Sequence, residues 1–149
     1  MFERNSSWLL AFDNDNILRE LYDDKSDLRK NALYINTTKK KGAALSFTES
    51  AGIYNIDNSE RTRHATFFDY NKDGHLDLFL LNQPPNPGNY SPLFGSDLKQ
   101  EKWMPRLYKN TGTGTFTEVT KTAGLLQAGF TNSVIAADVN HDGWTDLYV

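Results

Sequence analysis

The sequence contains no cysteine and only three histidines among its 149 residues. The lack of cysteine excludes disulfide bonds, thiolate metal sites and a cysteine nucleophile. No apolar run approaches the ~18 residues that cross a bilayer, so we expect no membrane insertion. Asp and Glu (19) outnumber Lys and Arg (16), and the net charge of −3 does not favour nucleic acid as a partner. Neither a Gly-x-Ser-x-Gly elbow nor a phosphate-binding glycine-rich motif occurs.

What the sequence does contain is an internal repeat. An acidic motif, an apolar Leu-Tyr-x-Asn motif and a Phe-Thr-Glu motif each occur twice, in matching order. The acidic and Phe-Thr-Glu motifs recur 69 residues later, and the Leu-Tyr-x-Asn motif recurs 74 residues later. The matching segments are 67–80 with 136–149, 47–49 with 116–118, and 33–36 with 107–110. Three matched motifs in one order indicate a structural repeat of the kind found in propellers and solenoids.

Each repeat unit has the pattern of short β-strands. Apolar runs of strand length, β-branched and aromatic residues, and a glycine-rich turn at 111–114 all favour strands and hairpins. The predicted strands are 33–36, 45–49, 63–68, 77–81, 106–110, 115–119, 133–137 and 146–149. Four antiparallel strands in sequence form a propeller blade. We therefore predict an all-β fold that is a fragment of a β-propeller built of four-stranded antiparallel blades with calcium loops.

The repeat boundaries predict three parts. Residues 1–62 form a partial blade, with an irregular N-terminal segment and a hairpin. Residues 63–132 form a complete blade, and residues 133–149 begin a further blade. All five prolines fall between positions 84 and 105, which predicts a surface insertion over 82–105. This insertion is either a surface loop without a binding role or a loop that contacts a ligand.

A partial set of blades leaves sheet faces without a neighbour. Propellers typically close with about 4–8 blades, so the remaining blades of a longer parent chain are expected partners. We expect the bare faces to carry Leu78, Leu80, Leu147 and Val149, and such patches promote self-association.

Both acidic motifs have the spacing of a calcium loop. Side-chain oxygens at loop positions 1, 3, 5 and 9 and a main-chain carbonyl at position 7 make an all-oxygen site, and calcium takes 6–8 such ligands. Glycine at position 6 permits the positive φ that turns the chain inward. The predicted ligands are Asp69, Asn71, Asp73, His75 (carbonyl) and Asp77 in one loop, and Asp138, Asn140, Asp142, Trp144 (carbonyl) and Asp146 in the other. We predict two Ca²⁺ sites and no catalytic residue.

Two other structures share parts of this sequence pattern. An Asp-x-Asn-x-Asp-Gly string can form an ordinary Asx-rich turn without a metal. An EF-hand needs glutamate at position 12 and flanking helices. Position 12 is Leu80 in one loop and Val149 in the other, and strand-like residues follow both, so the EF-hand interpretation fails.

The loops and their context resemble a known family. Asp-x-Asn-x-Asp-Gly-x-x-Asp-Leu loops inside four-stranded units are similar to the FG-GAP/VCBS repeats of integrin-α-type β-propellers. Together with the segments 107–110, 113–119 and 123–125, residues 138–149 resemble the propellers of ASPIC/UnbV and cartilage-acidic-protein-like secreted proteins. This resemblance covers roughly residues 31–149. It implies calcium in the loop between the first two strands of each blade.

The resemblance also implies a function class. It suggests an extracellular, cell-surface or periplasmic module for adhesion, scaffolding or ligand binding, with a protein or glycan partner and no catalysis. The alternative is a fragment of a polysaccharide-acting propeller enzyme, such as a lyase, or a glycan-binding lectin. No Ser/His/Asp arrangement is evident in the sequence, and His64 lies on a predicted strand.

Overall fold

The described residues form ten short β-strands joined by turns and loops. A computed structural model describes residues 30–82, 103–126 and 131–149, together with the strands at 9–12 and 18–21. No helix in these parts of the chain is long and apolar enough to cross a membrane. The strands are β1 (Leu9–Phe12), β2 (Leu18–Leu21), β3 (Tyr34–Asn36), β4 (Phe47–Glu49), β5 (Thr62–Phe68), β6 (Asp77–Asn82), β7 (Arg106–Asn110), β8 (Phe116–Glu118), β9 (Ile135–Ala137) and β10 (Asp146–Tyr148).

One complete four-stranded antiparallel sheet lies at the centre, and we call it the central blade. Its strand order is β5-β6-β7-β8, so every connection joins neighbours in the chain. Leu78 lies opposite Phe67 on β5 and opposite Tyr108 on β7, which fixes the register across three strands. Strand β6 is buried along its whole length, as its nearly continuous apolar sequence requires. The all-β fold with a propeller-type blade is therefore confirmed.

Two-stranded sheets account for the remaining strands. β3 pairs with β4 in the leading hairpin, and β9 pairs with β10 in the trailing hairpin. β1 and β2 form a separate antiparallel pair. The leading and trailing hairpins carry the same repeat motifs as the central blade, so each represents half of a blade.

The central blade is covered on both faces, with a core on each side. Leu78, Leu80, Tyr108 and Phe116 pack on one face against Ala51 and Ile56 of the leading unit. On the other face, a second core joins the central blade to the trailing hairpin, and its buried members are Phe68, Phe79, Leu81, Leu107 and Val134. Opposite faces are used because successive side chains of a strand alternate.

The expectation that Leu78 and Leu80 would be exposed is wrong. Both are 3% exposed, because the segment after β4 folds over them. Leu147 is half-buried against the second core, and Val149 is 47% exposed. Exposed apolar side chains lie on the leading and trailing hairpins, outside the central blade. Tyr34 is 64% exposed on one hairpin and Tyr148 is 76% exposed on the other.

A polar network holds the end of the central blade that is remote from the acidic loops. Arg106 donates to the Glu60 carboxylate from Nη2 (2.6 Å) and from Nε (3.0 Å). Buried Asn82 donates to Glu60 (2.8 Å) and to the Met104 carbonyl (3.0 Å), and it accepts from the Thr62 hydroxyl (2.8 Å). The Glu60 carboxylate raises the pKa of Arg106. These contacts fix both points from which the predicted insertion leaves and rejoins the sheet.

Most of that insertion lies outside the described residues, including Pro84, Pro85, Pro87 and Pro92. Pro105 is described and immediately precedes β7. Its position is suitable for proline, which lacks the N–H that a strand interior requires.

Candidate functional site

The two acidic loops occupy equivalent places in the fold. Residues 69–77, the first acidic loop, connect β5 to β6, and residues 138–146, the second acidic loop, connect β9 to β10. Both loops have left-handed backbone conformation at position 6, where Gly74 and Gly143 each have a φ of 84°. Position 4 is also left-handed, although it carries Lys72 (φ 58°) and His141 (φ 62°). The two loops therefore have the same backbone turns at positions 4 and 6.

In the first acidic loop, carboxylates and amides fold inward onto the backbone. Asp69 accepts hydrogen bonds from the Gly74 N–H (2.9 Å) and the Asp73 N–H (3.1 Å). Asp73 in turn accepts from the His75 N–H (3.0 Å) and the Asn71 amide (2.8 Å). The Asn71 amide first, and then the His75 N–H, lower the pKa of Asp73. The loop is thus held by its own predicted ligands.

The second acidic loop repeats these contacts. The Gly143 N–H donates to Asp138 (2.8 Å), and the Trp144 N–H donates to Asp142 (2.7 Å). The Asn140 amide also donates to Asp142 (2.9 Å). The pKa of Asp142 is lowered, chiefly by the Trp144 N–H and then by Asn140.

One oxygen differs between the loops. Asp138 Oδ1 is buried, and no N–H or O–H of the described residues donates to it. Its counterpart in the first loop accepts from the Asp73 N–H. A buried carboxylate oxygen without a partner is costly, and a bound cation would satisfy it. This oxygen therefore fits the donor set of a calcium loop.

The acidic side chains of the loops do not converge on one point. Within the described residues, no three acidic or histidine side chains come together as a ready-made metal site. The predicted donor sets include an asparagine oxygen and a main-chain carbonyl in each loop. Among the buried carboxylate oxygens of the two loops, Asp138 Oδ1 alone receives no hydrogen bond from the described residues. In both loops, hydrogen bonds from main-chain N–H groups offset part of the negative charge.

Asp77 ties the first loop to the sheet. It is fully buried, with one oxygen accepting from the Tyr70 N–H (3.0 Å) and the other from the Asn110 N–H (2.8 Å). The Asn110 side chain donates to the Leu76 carbonyl (3.0 Å). In the second loop, Asp146 accepts from the Val139 N–H at the same distance, 3.0 Å. Asn110 was singled out in the sequence only as part of a repeated motif, and this role as a clamp explains the motif.

The two loops also meet each other. The Lys72 ammonium lies 4.1 Å from the centre of the Trp144 ring, a cation–π distance. A Cβ on Gly143 would lie 3.3 Å from the same ammonium. The ammonium of Lys109 lies 3.5 Å from Asp73. Basic side chains therefore border both loops, which the sequence analysis did not predict because Lys72 and Trp144 are far apart in the chain.

A serine–histidine contact lies away from the loops. His64 Nδ1 accepts from the Val134 N–H (3.0 Å) and lies 3.1 Å from the Ser133 hydroxyl. His64 and Ser133 are 69 residues apart, which is the spacing of the repeat, so they occupy equivalent positions although their side chains differ. The contact joins β5 to the segment before β9, so it holds neighbouring units together.

Comparison with known proteins agrees with this architecture. Residues 93–149 match the sequence model of the FG-GAP-like repeat, a span that includes β7 to β10 and the second acidic loop. Comparison with curated proteins and with solved structures found no match. The match and the antiparallel blade together support an FG-GAP-like repeat over residues 93–149.

Proposed function

We propose that this chain is a calcium-binding module of a β-propeller that acts outside the cytoplasm in adhesion, scaffolding or ligand binding. Calcium would be held by the predicted oxygens of the two acidic loops. Its role would be to fix the connection between the first two strands of a blade. We also propose that the chain is related more narrowly to ASPIC/UnbV and cartilage-acidic-protein-like propellers.

The observation that carries this proposal is the buried Asp138 Oδ1, to which no group of the described residues donates a hydrogen bond. It lies in a loop whose backbone matches that of the first acidic loop, with left-handed residues at positions 4 and 6 of both. An ordinary Asx-rich turn requires neither the third carboxylate nor its repetition. A hard, oxygen-seeking cation explains both features.

The proposed role does not include catalysis. The predicted scheme assigns the loop carboxylates to the metal or to backbone N–H groups, so it leaves no general base beside the ion. The partner would be a protein or a glycan bound by the assembled propeller. Calcium-dependent hydrolysis or β-elimination of a polysaccharide by this chain would contradict the proposal and favour the lyase alternative.

Trp144 offers a direct test of the second loop. Tb³⁺ prefers oxygen ligands as Ca²⁺ does, and it emits when a nearby indole is excited. We expect terbium emission on excitation of tryptophan, and displacement by Ca²⁺ in the range of about 10⁻⁴–10⁻³ M. Asp142→Asn should remove the emission from terbium in the second loop. Because the Trp144 ring also lies beside Lys72 of the first loop, the emission that remains should be lost when Asp73→Asn is added.

Two controls complete the experiment. Trp144→Phe should lose the emission but retain calcium binding measured by heat. Asp57→Asn removes an acid outside both loops, one that pairs with Lys30 at 3.1 Å, and should leave the emission unchanged. Equal emission from the unmodified chain and from Asp142→Asn would refute a metal site in this loop.

A further inference from the structure

Each acidic loop has a lysine ammonium beside it, and the two lysines come from different elements. At the first acidic loop, Lys109 of β7 places its ammonium 3.5 Å from the Asp73 carboxylate. The second acidic loop contains no lysine or arginine of its own. The ammonium beside it belongs to Lys72, a residue of the first acidic loop. One lysine therefore acts within its own blade, and the other acts across the boundary between two units.

Lys72 lies against the turn of the second acidic loop. Its ammonium is 4.1 Å from the centre of the Trp144 ring and 3.3 Å from the position that a Cβ on Gly143 would occupy. Both of these residues directly follow Asp142, and the Trp144 N–H donates to the Asp142 carboxylate (2.7 Å). The ammonium is therefore beside the part of the loop that holds the predicted ligands at positions 5 and 7.

The backbone of the first acidic loop fixes the point from which Lys72 extends. Lys72 has a left-handed φ of 58°, which is uncommon for a residue with a Cβ. Hydrogen bonds around it hold this conformation, because the Asp73 N–H donates to Asp69 (3.1 Å) and to Asn71 (3.2 Å). The side chains on either side of Lys72 thus serve their own loop, whereas the Lys72 ammonium contacts the other loop.

The charge of Lys72 acts on a predicted calcium ligand. After the Trp144 N–H and the Asn140 amide, this positive charge is a further cause that lowers the pKa of Asp142. An ammonium that stabilises a carboxylate in the absence of metal opposes a cation that needs the same carboxylate, because like charges repel. The ion pair at the first acidic loop has the same consequence for calcium there.

We infer that Lys72 and Lys109 are positioning residues that compete with calcium for the carboxylates of the two loops. This competition presupposes the calcium sites of the proposed function and sets how tightly they bind. Lys109 weakens calcium binding at the first acidic loop. Lys72, although it is part of the first acidic loop, weakens binding at the second. The calcium affinity of the second acidic loop therefore depends on how the two units pack, as well as on its own ligands.

Calcium titration of the isotope-labelled full chain, followed by amide NMR, reads the two loops separately. The Gly74 N–H donates to Asp69 (2.9 Å). The Gly143 N–H donates to Asp138 (2.8 Å), so each glycine amide reports the occupancy of its own loop. Lys72→Met should tighten the binding seen at Gly143 about three- to tenfold, as expected when one charge near a divalent cation at the surface is removed. The binding seen at Gly74 should change by less than about twofold.

Three further variants serve as the reciprocal test and the controls. Lys109→Met should tighten the binding seen at Gly74 and leave that at Gly143 nearly unchanged. Lys72→Arg keeps the charge and should bind calcium as the unmodified chain does. Lys121→Met removes an exposed lysine in the turn after β8, at the end of the central blade remote from the acidic loops, and should change neither affinity. In ~1 M KCl the gain from Lys72→Met should shrink, because salt screens exposed charges.

Two kinds of failure can be told apart. If neither glycine amide moves with excess calcium in any variant, calcium does not bind, and both the proposed function and the competition are refuted. If both amides move with the same affinities in the unmodified chain, Lys72→Met and Lys109→Met, calcium binds and the competition alone is overturned. Equal tightening of both loops by either substitution would also overturn it, because the effect would then be one of net charge and not of position.

Discussion

Single carboxylates organise much of the local structure. Besides Asp77, Glu49 accepts from the Ala51 N–H (2.8 Å) and the Leu33 N–H (3.1 Å) with one oxygen. The Ala51 N–H, followed by that of Leu33, lowers the pKa of Glu49. Glu60 serves Arg106 and Asn82 in the same manner. The strands of this fold are very short and form few hydrogen bonds with one another. Hydrogen bonds from N–H groups to carboxylates, which are stronger because the acceptor is charged, add to them.

At the residue scale, we predict an alkaline instability that depends on Tyr108. Burial raises the pKa of Tyr108 to about 12, from an ordinary value of 10.0. A raised pKa favours the protonated phenol in the folded state. The corresponding stability is therefore complete below pH ~10 and is lost as the pH rises toward ~12. Urea unfolding at increasing pH should show this loss.

Tyr108→Phe should flatten the decline in stability above pH ~10. Tyr34→Phe, which alters an exposed phenol, should retain it. Identical alkaline slopes for the unmodified chain and Tyr108→Phe would contradict a buried, neutral phenol at this position.

At the scale of elements, the acidic loops are turns whose shape is set by left-handed residues. Gly74 has a φ of 84°, and a Cβ there would meet no atom within 4 Å. The strain of a substitution is therefore conformational and not steric. Gly52, by contrast, has no positive φ, and a Cβ on it would make ordinary contacts with Asp57 at 3.8 Å. The two glycines form a matched pair.

Gly74→Ala should destabilise the chain by about 1–2 kcal/mol, the usual penalty for a left-handed alanine. Gly52→Ala should change the free energy of unfolding by less than about 0.5 kcal/mol. Chemical unfolding, with and without calcium, measures both. Equal effects of the two substitutions would show that the first loop does not depend on its left-handed turn.

The sequence predicted these elements well because each has a local signal. Apolar runs marked β6 and β7, the glycine-rich turn marked the connection to β8, and the acidic spacing marked both loops. The left-handed backbone at loop position 4 was not predicted, because lysine, unlike glycine, does not favour a positive φ. The contact of Lys72 with Trp144 could not be predicted, since it depends on how the two units pack.

At the scale of the molecule, both faces of the central blade are used. Leu78 and Leu80 were expected to be exposed because a partial set of blades leaves sheet faces without a neighbouring blade. In the structure, the segment after β4 brings Ala51 and Ile56 onto that face. A repeat unit thus covers its neighbour with a turn as well as with a sheet, and single-sequence patterns do not reveal which turn packs where.

Counting calcium ions per chain by isothermal titration tests the central claim most directly. The account predicts two calcium ions for the unmodified chain, because both loops have the same types of ligand residue at the same loop positions. It predicts one ion for Asp73→Ala, one for Asp142→Ala and none for the double variant. Equal heats of calcium binding for the unmodified chain and the double variant would contradict the assignment of calcium to these loops.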